Sequence, residues 1–501
     1  MYSFLIALAV LIVGYFFYGS FVEKVFGVDN NRSVPAYTRT DGVDFVPMPT
    51  WKVFLIQFLN IAGLGPIFGA IMGIQYGPAA FLWISLGTIF AGGVHDFLTG
   101  VICVRSDGTS IPEIIGNELG ITVKHCMRLF ALLLMILVAA VFVINPAELL
   151  KLLTAGVAGG ILTTDFWIFV IFVYFILASL LPIDKLVGRL YPVFGFALLF
   201  MAVGILIVLI SSKLEFIPEF STGLQNRFVN PETNRMFPLM FVSIACGAIS
   251  GFHATQTPMM ARCLKNEKYS RPVFYGAMVA EGIVALIWAA AAIAFFRGDF
   301  SALSDFLHQS KSASPLVNTL SREWLGTVGG VLAVLGVIVA PISSGDTALR
   351  SARLIVADVL KIKQSKLWHR LSISLPIFVL TFIVMKIDFT VLWRYFGWCN
   401  QTLAMFSLWA VTVYLKRNGR RYIFALLPSL FMTMVCISYI IFAPEGLSLD
   451  NSLAEWLSTK FNYTAISIDY YISIITAAVI TLTLLFVFIV KTKQYKTIIN
   501  N

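Results

Sequence analysis

Apolar residues run along this chain in long blocks separated by short polar interruptions. Thirteen blocks stand out, at 1–19, 53–76, 79–104, 127–150, 165–182, 189–211, 237–261, 272–296, 324–349, 371–385, 389–415, 422–443 and 470–490. About 20 apolar residues cross a bilayer as a helix. Inside lipid only helices and closed barrels satisfy their own backbone. The blocks are continuous rather than alternating, which excludes a barrel. The pattern therefore predicts an all-α polytopic membrane protein of about 13 transmembrane helices.

The basic residues test this count. With the segment after the first block placed inside and the sides alternated from there, 26 of the 36 Lys and Arg fall inside. Positive charge collects on the cytoplasmic side of membrane proteins. The expected orientation is an outer N-terminus and a cytoplasmic C-terminus, in a bacterial inner membrane. Each extramembrane piece, the longest being 20–52, 212–236, 297–323 and 444–469, is too short for a core of its own. One transmembrane domain thus covers 1–501. Within it, 1–52 is an N-terminal helix and linker, and 416–501 carries two C-terminal helices.

Composition agrees. Hydrophobic residues make up 58% of the 501 and charged residues 12%, against roughly 25% charged in soluble domains. The net charge of +10 lies between the spans, so it marks loop topology rather than nucleic-acid binding. The six cysteines form no CxxC pair, which removes the usual zinc and redox motifs. The first 18 residues lack a basic n-region and an A-x-A site, so an uncleaved first helix is expected. The phosphate-binding motif G-x-x-x-x-G-K-[ST] is absent.

Two blocks carry helix breakers. One contains Asn60-Ile-Ala62-Gly63-Leu-Gly65-Pro66, the other Gly247 to Pro258 with His253, Thr255 and Gln256 between. Glycine and proline together free backbone groups from the helical ladder. Close packing through small residues would account for either segment alone. Their positions add something. The clusters lie about 185 residues apart and each opens five spans, 53–211 and 237–415. Five is odd, so the second set must be inverted. Interrupted helices at matching places in two inverted halves point to a transporter site. The same offset relates Asp96 to Glu281.

Ionisable residues at depth are His95, Asp96, Glu148, His253, Glu281 and Asp346; charges there default to functional hypotheses. His95, Asp96 and Glu281 are the candidates for proton coupling. In the block at 324–349, Ala340, Ser343 and Ser344 stand at i, i+3 and i+4 on one helix face. With carbonyls freed near Ala62 and Gly65 they would form an oxygen cage for Na+. Hydroxyls bonding back to the preceding turn are the alternative. Asp346 and Arg350, four apart, suit a gate ion pair.

The segments NIAGLGPIFGAIMG (60–73), AGGVHDFLTGVICVRSDGTSIPE (91–113), GFHATQTPMMARC (251–263), APISSGDTALRSAR (340–353) and WCNQTLA (398–404) resemble the carbon starvation protein A family of peptide and pyruvate transporters. That family is placed in the amino acid–polyamine–organocation superfamily. The resemblance implies a leucine-transporter-like 5+5 inverted repeat with one extra N-terminal and two extra C-terminal helices. It also implies a cation held between the first broken helix and the helix of Ser343 and Ser344. Longer family members carry additional membrane and loop sequence. The expected function is secondary import of peptides or a small carboxylate such as pyruvate, driven by H+ or Na+ and used in scavenging under carbon starvation. Asn60, Gly63, Gly65, His253, Thr255, Gln256, Asn400 and Gln401 are the expected substrate contacts. No cofactor is expected; the partners are the solute and membrane lipid. The rivals are a membrane-embedded enzyme, which needs a catalytic cluster that only His95 and Asp96 suggest, and a channel or sensor, which would not accumulate solute.

Overall fold

The computed structural model describes residues 2–42, 44–155, 161–180, 187–310, 312–364, 366–444, 446–447 and 465–499. The described residues form helices and connections, with no strand among them. In chain order the helices are α1 (Tyr2–Phe26), α2 (Thr50–Ile61), α3 (Gly65–Tyr76), α4 (Ala79–Arg105), α5 (Ile111–Leu119) and α6 (Ile121–Thr154). Then come α7 (Thr164–Leu180), α8 (Val187–Ser212), α9 (Met236–Ser243), α10 (Gly251–Ala261) and α11 (Glu267–Phe295). The chain closes with α12 (Phe300–Ser310), α13 (Ser314–Leu360), α14 (Leu367–Val384), α15 (Phe389–Arg417), α16 (Ile423–Phe442) and α17 (Ala465–Ile499).

Helix falls on each of the thirteen apolar blocks, and the expected spans are met in part. Among the described residues nine helices are long and apolar enough to cross a membrane, or ten with the bent pair α2–α3 as one span. The shortfall has three sources. Helix α7 reaches the edge of the described residues at Leu180, so only its stretch Thr164–Ala178 is counted. The 237–261 block divides into α9 and α10, of 8 and 11 residues. Helix α15 is long, but Arg394, Asn400 and Gln401 dilute its hydropathy. The links at 156–160 and 181–186, and 448–464 of the expected outer segment, lie outside the described residues.

Burial sorts the helices into an inner and an outer set. Helices α4 and α11 are almost wholly buried, whereas α1, α8, α14 and α17 expose most of their surface. That exposed surface is apolar, as at Phe17, Phe196 and Ile475, the composition a lipid-facing surface requires. Segments assigned by charge to the same side meet in space. At one end Arg105 pairs with Glu267 at 2.6 Å, and Arg417 lies 3.4 Å from Glu118. At the other, Ser3 donates its hydroxyl to Glu219 at 2.6 Å. The molecule is a multi-pass helical membrane protein whose inner helices carry its buried charge.

Candidate functional site

The site begins with two interruptions in helical backbone. Helix α2 stops at Ala62, whose ψ of 51° leaves the helical well, and the chain resumes as α3 at an angle of 54°. Pro66 stands in the first turn of α3, where its missing N–H costs nothing. Helix α9 ends in one tight turn, and Ser250 then extends the chain (φ −149°, ψ 127°) before α10 begins. The breaks touch each other. A Cβ on Gly65 would fall 2.3 Å from the Cβ of Cys246, so only glycine permits that approach.

Buried amides and hydroxyls satisfy the freed backbone. Asn400 Oδ1 accepts from the Phe252 N–H at 2.7 Å and from the Ser250 hydroxyl at 2.8 Å, capping α10 from α15. Gln401 Nε2 donates to the Ile249 carbonyl at 2.9 Å. The Thr88 hydroxyl donates to the Gly247 carbonyl at 3.0 Å. Asn400, expected as a substrate contact, thus spends its acceptor on holding the break open, whereas Gln401, also expected there, keeps its Oε1 unpartnered. Lipid cannot do this, so side chains from neighbouring helices do.

Across the second break lies a chain of four wholly buried titratable groups. His95 Nδ1 is 2.7 Å from Asp96 Oδ1, and His253 Nδ1 is 2.8 Å from Asp96 Oδ2. His253 Nε2 is 3.2 Å from Glu281 Oε2. That last approach lacks hydrogen-bond alignment, and His253 Nε2 and both Glu281 oxygens have no hydrogen-bond partner. The order His95–Asp96–His253–Glu281 links α4, α10 and α11. His253, expected among the substrate contacts, bridges the two carboxylates. Alternating imidazoles and carboxylates at such spacing can pass a proton by small rotations. Among the described residues, no group of three or more His, Cys, Asp or Glu is arranged to hold a metal ion.

Helix α13 runs beside α2. The hydroxyls of Ser343 and Ser344 donate to the Leu59 carbonyl at 3.3 and 2.9 Å, and to the Ala340 carbonyl at 2.7 and 3.1 Å. Four oxygens therefore gather where the sequence places a Na+ cage. The carbonyl reached is that of Leu59 rather than of Ala62 or Gly65, and Gly65 packs against Cys246 instead. Asp346 accepts from the Tyr174 hydroxyl at 3.0 Å. Arg350 donates to the Ala178 carbonyl at 2.6 Å and lies 3.6 Å from Asp44.

Of the remaining expected residues, Thr255 donates to its own turn at Phe252, and Gln256 Nε2 donates to the Thr255 hydroxyl at 3.0 Å. Asn60 is buried with both amide atoms unpartnered, and so is Gln57, one turn earlier on α2. Sequence reading passed over Gln57. The available signal was its i, i+3 spacing to Asn60 in an otherwise apolar stretch.

Matched broken helices around buried polar groups belong to the architecture of membrane transporters. The solved structures agree at the level of fold. Crystal structures of two mutant forms of a manganese transporter from Eremococcus coleocola match with TM-scores of 0.56 and 0.57 at 14% identity, over 91% of this chain and 99% of theirs. Residues 1–164 and 153–328 match the family model described as "Carbon starvation protein CstA", and the chain belongs to that family. An uncharacterized membrane protein of Haemophilus influenzae is 43% identical over 59% of this chain and 92% of its own length. The peptide transporter CstA of Campylobacter jejuni is 29% identical over 64% of this chain and 52% of its own. The pyruvate/proton symporter BtsT of Escherichia coli is 26% identical over 60% and 49%. The chain therefore spans about half the length of these two named transporters. It is a membrane transporter rather than an enzyme.

Proposed function

We propose that this protein is a secondary active importer of a peptide or of a small carboxylate such as pyruvate, coupled to the proton gradient. The observation that carries the reading is His253, which joins Asp96 and Glu281 at 2.8 and 3.2 Å across a broken helix. Relatives named as peptide transporters and as a pyruvate/proton symporter support the substrate classes and the ion. The N-terminal ends of α3 and α10 would offer backbone amides to a substrate carboxylate, and Asn60 with Gln57 would add side-chain contacts. The two breaks, one at the start of each five-helix set, support a leucine-transporter-like inverted repeat, 53–211 against 237–415. The 26 basic residues on one side support an inner-membrane protein with its C-terminus in the cytoplasm.

The test is uptake into proteoliposomes, with labelled pyruvate and a labelled dipeptide compared under separately imposed proton and sodium gradients. A pH gradient should drive accumulation of one of them. Asp96→Asn and Glu281→Gln should abolish uphill accumulation while exchange of internal for external solute persists. Accumulation at the wild-type level in both variants would remove the relay.

A sodium-coupled reading rests on the four oxygens of Leu59, Ala340, Ser343 and Ser344. On that reading, Ser343→Ala with Ser344→Ala should raise the sodium concentration for half-maximal uptake by about tenfold, equivalent to about 1.4 kcal/mol. Sodium-independent uptake unaffected by the double substitution makes the serines purely structural.

A further inference from the structure

A crevice of about 270 Å³ opens at the end of the bundle that carries the basic loops, between α5, the start of α6, α15 and α17. Its depth is apolar, with Val123, Met405, Leu484 and Phe488 in its walls. The Phe488 ring lies 6.0 Å from that of Trp409 on α15 and 5.5 Å from that of Tyr422 at the start of α16, which fixes α17 in place. Helix α17 exposes most of its surface, and that apolar surface faces lipid. An acyl chain can therefore enter the crevice from the bilayer, whereas water gains nothing by filling an apolar space. Lipid tails are as apolar as leucine, so the depth of the crevice selects for shape alone. A preference for one lipid has to come from polar groups at the mouth.

Two such groups line it from different helices, Lys491 on α17 and Glu118 on α5. Lys491 follows the apolar block 470–490 directly, which sets its ammonium at headgroup depth. It is exposed and makes no ion pair among the described residues. Its neighbours are engaged elsewhere: the Thr492 hydroxyl donates to the Phe488 carbonyl at 2.7 Å, and the Lys416 ammonium stands 4.4 Å from the centre of the Tyr422 ring. The Glu118 side chain is 5% exposed, and its Oε2 accepts no hydrogen bond. Arg417, half-exposed, approaches that oxygen at 3.4 Å. Burial pushes the Glu118 carboxyl above its ordinary range, and the Arg417 guanidinium opposes this only in part. A carboxylate offers about four lone-pair sites, so Glu118 keeps room for a donor. The mouth thus holds a free cation and an under-compensated anion. A purely anionic headgroup would be repelled by Glu118, and a quaternary ammonium has no N–H to give it. A phosphate joined to a primary ammonium, which carries three donors, matches both.

We propose that this crevice is a binding site for a zwitterionic phospholipid with a primary-amine headgroup, phosphatidylethanolamine, with an acyl chain between α15 and α17, the phosphate at Lys491 and the ammonium at Glu118. The site lies apart from the His95–Glu281 chain, and it stands whether or not the proton reading is correct. Thermal unfolding of the full-length protein in detergent tests it, with phosphatidylethanolamine, phosphatidylglycerol and phosphatidylcholine of identical acyl chains added in turn. Phosphatidylethanolamine should raise the melting temperature saturably and at lower concentration than the other two. Each variant is compared with its own lipid-free melting temperature. Glu118→Gln should weaken phosphatidylethanolamine by about tenfold or more, the equivalent of about 1.4 kcal/mol, and leave phosphatidylcholine unchanged. Lys491→Ala should weaken all three lipids, which share the phosphate. Arg417→Gln removes the competing cation and keeps Glu118, so the preference for phosphatidylethanolamine should persist or grow. The last two variants decide the matter even if Glu118→Gln does not fold. An equal response to the three lipids, a preference for phosphatidylglycerol, or a preference for phosphatidylethanolamine that survives Glu118→Gln or is lost in Arg417→Gln would overturn the proposal, as would lipid responses unchanged by Lys491→Ala.

Discussion

Asn400 shows how much a single side chain does here. Its Oδ1 serves two buried donors and its Nδ2 stands 3.2 Å from Cys246 Sγ. Asn400→Ala leaves the Phe252 N–H and the Ser250 hydroxyl buried without an acceptor, at about 1–3 kcal/mol each. Its thermal stability in detergent should therefore fall by about 3 kcal/mol. Asn400→Asp keeps the acceptor at a helix start, where a carboxylate is favoured, and should recover most of the loss. If alanine and aspartate melt alike, the capping role fails. Sequence named Asn400 as polar and intramembrane but assigned it to substrate. Its partners lie 148 and 150 positions away, and no local pattern encodes a contact at that range. The placing of His253 between Asp96 and Glu281 was hidden for the same reason, although the 185-residue offset had already related the two carboxylates.

At the scale of elements, the two breaks were legible because glycine and proline write backbone interruption directly into sequence. Their mutual contact was not. Gly65 and Cys246 meet so closely that Gly65→Ala forces Cβ against Cβ at 2.3 Å. Overpacking of this kind costs about 1–3 kcal/mol, and transport should be lost with it. Cys246→Gly removes the obstructing Cβ, leaving the Cα at 3.6 Å. The double variant Gly65→Ala, Cys246→Gly should therefore be more stable and more active than Gly65→Ala alone. Simple additivity of the two substitutions would mean that the breaks do not touch. The block at 389–415 was legible by its length, although α15 carries Arg394, Asn400 and Gln401 at the expense of hydropathy.

For the whole molecule, alternation of charge carries the expected orientation, because each helix must emerge on the side opposite to where it entered. Cys126 is the exposed one of the six cysteines, so Cys126→Ser gives a quiet background. Lys265→Cys, Lys363→Cys and Arg420→Cys, all at exposed positions, should each react with membrane-permeant thiol reagents and resist impermeant ones added from outside. Labelling of any of them by the impermeant reagent would invert the orientation. Overall likeness to a transporter of 14% identity lies beyond sequence reading altogether, since helix packing preserves shape long after side chains have diverged.

Both oxygens of Asp96 are occupied by imidazole nitrogens, and both nitrogens are Nδ1. An acceptor at Asp96 assigns a hydrogen of each ring to Nδ1, so each ring turns its Nε2 away from the Asp96 carboxylate. The array thus has two ends, His95 and Glu281, with Asp96 held between the two imidazoles. A proton cannot short-circuit the membrane through it unless both ends meet water at once. Leak current, rather than solute flux, is therefore the quantity that measures how strictly the two ends of this array take turns.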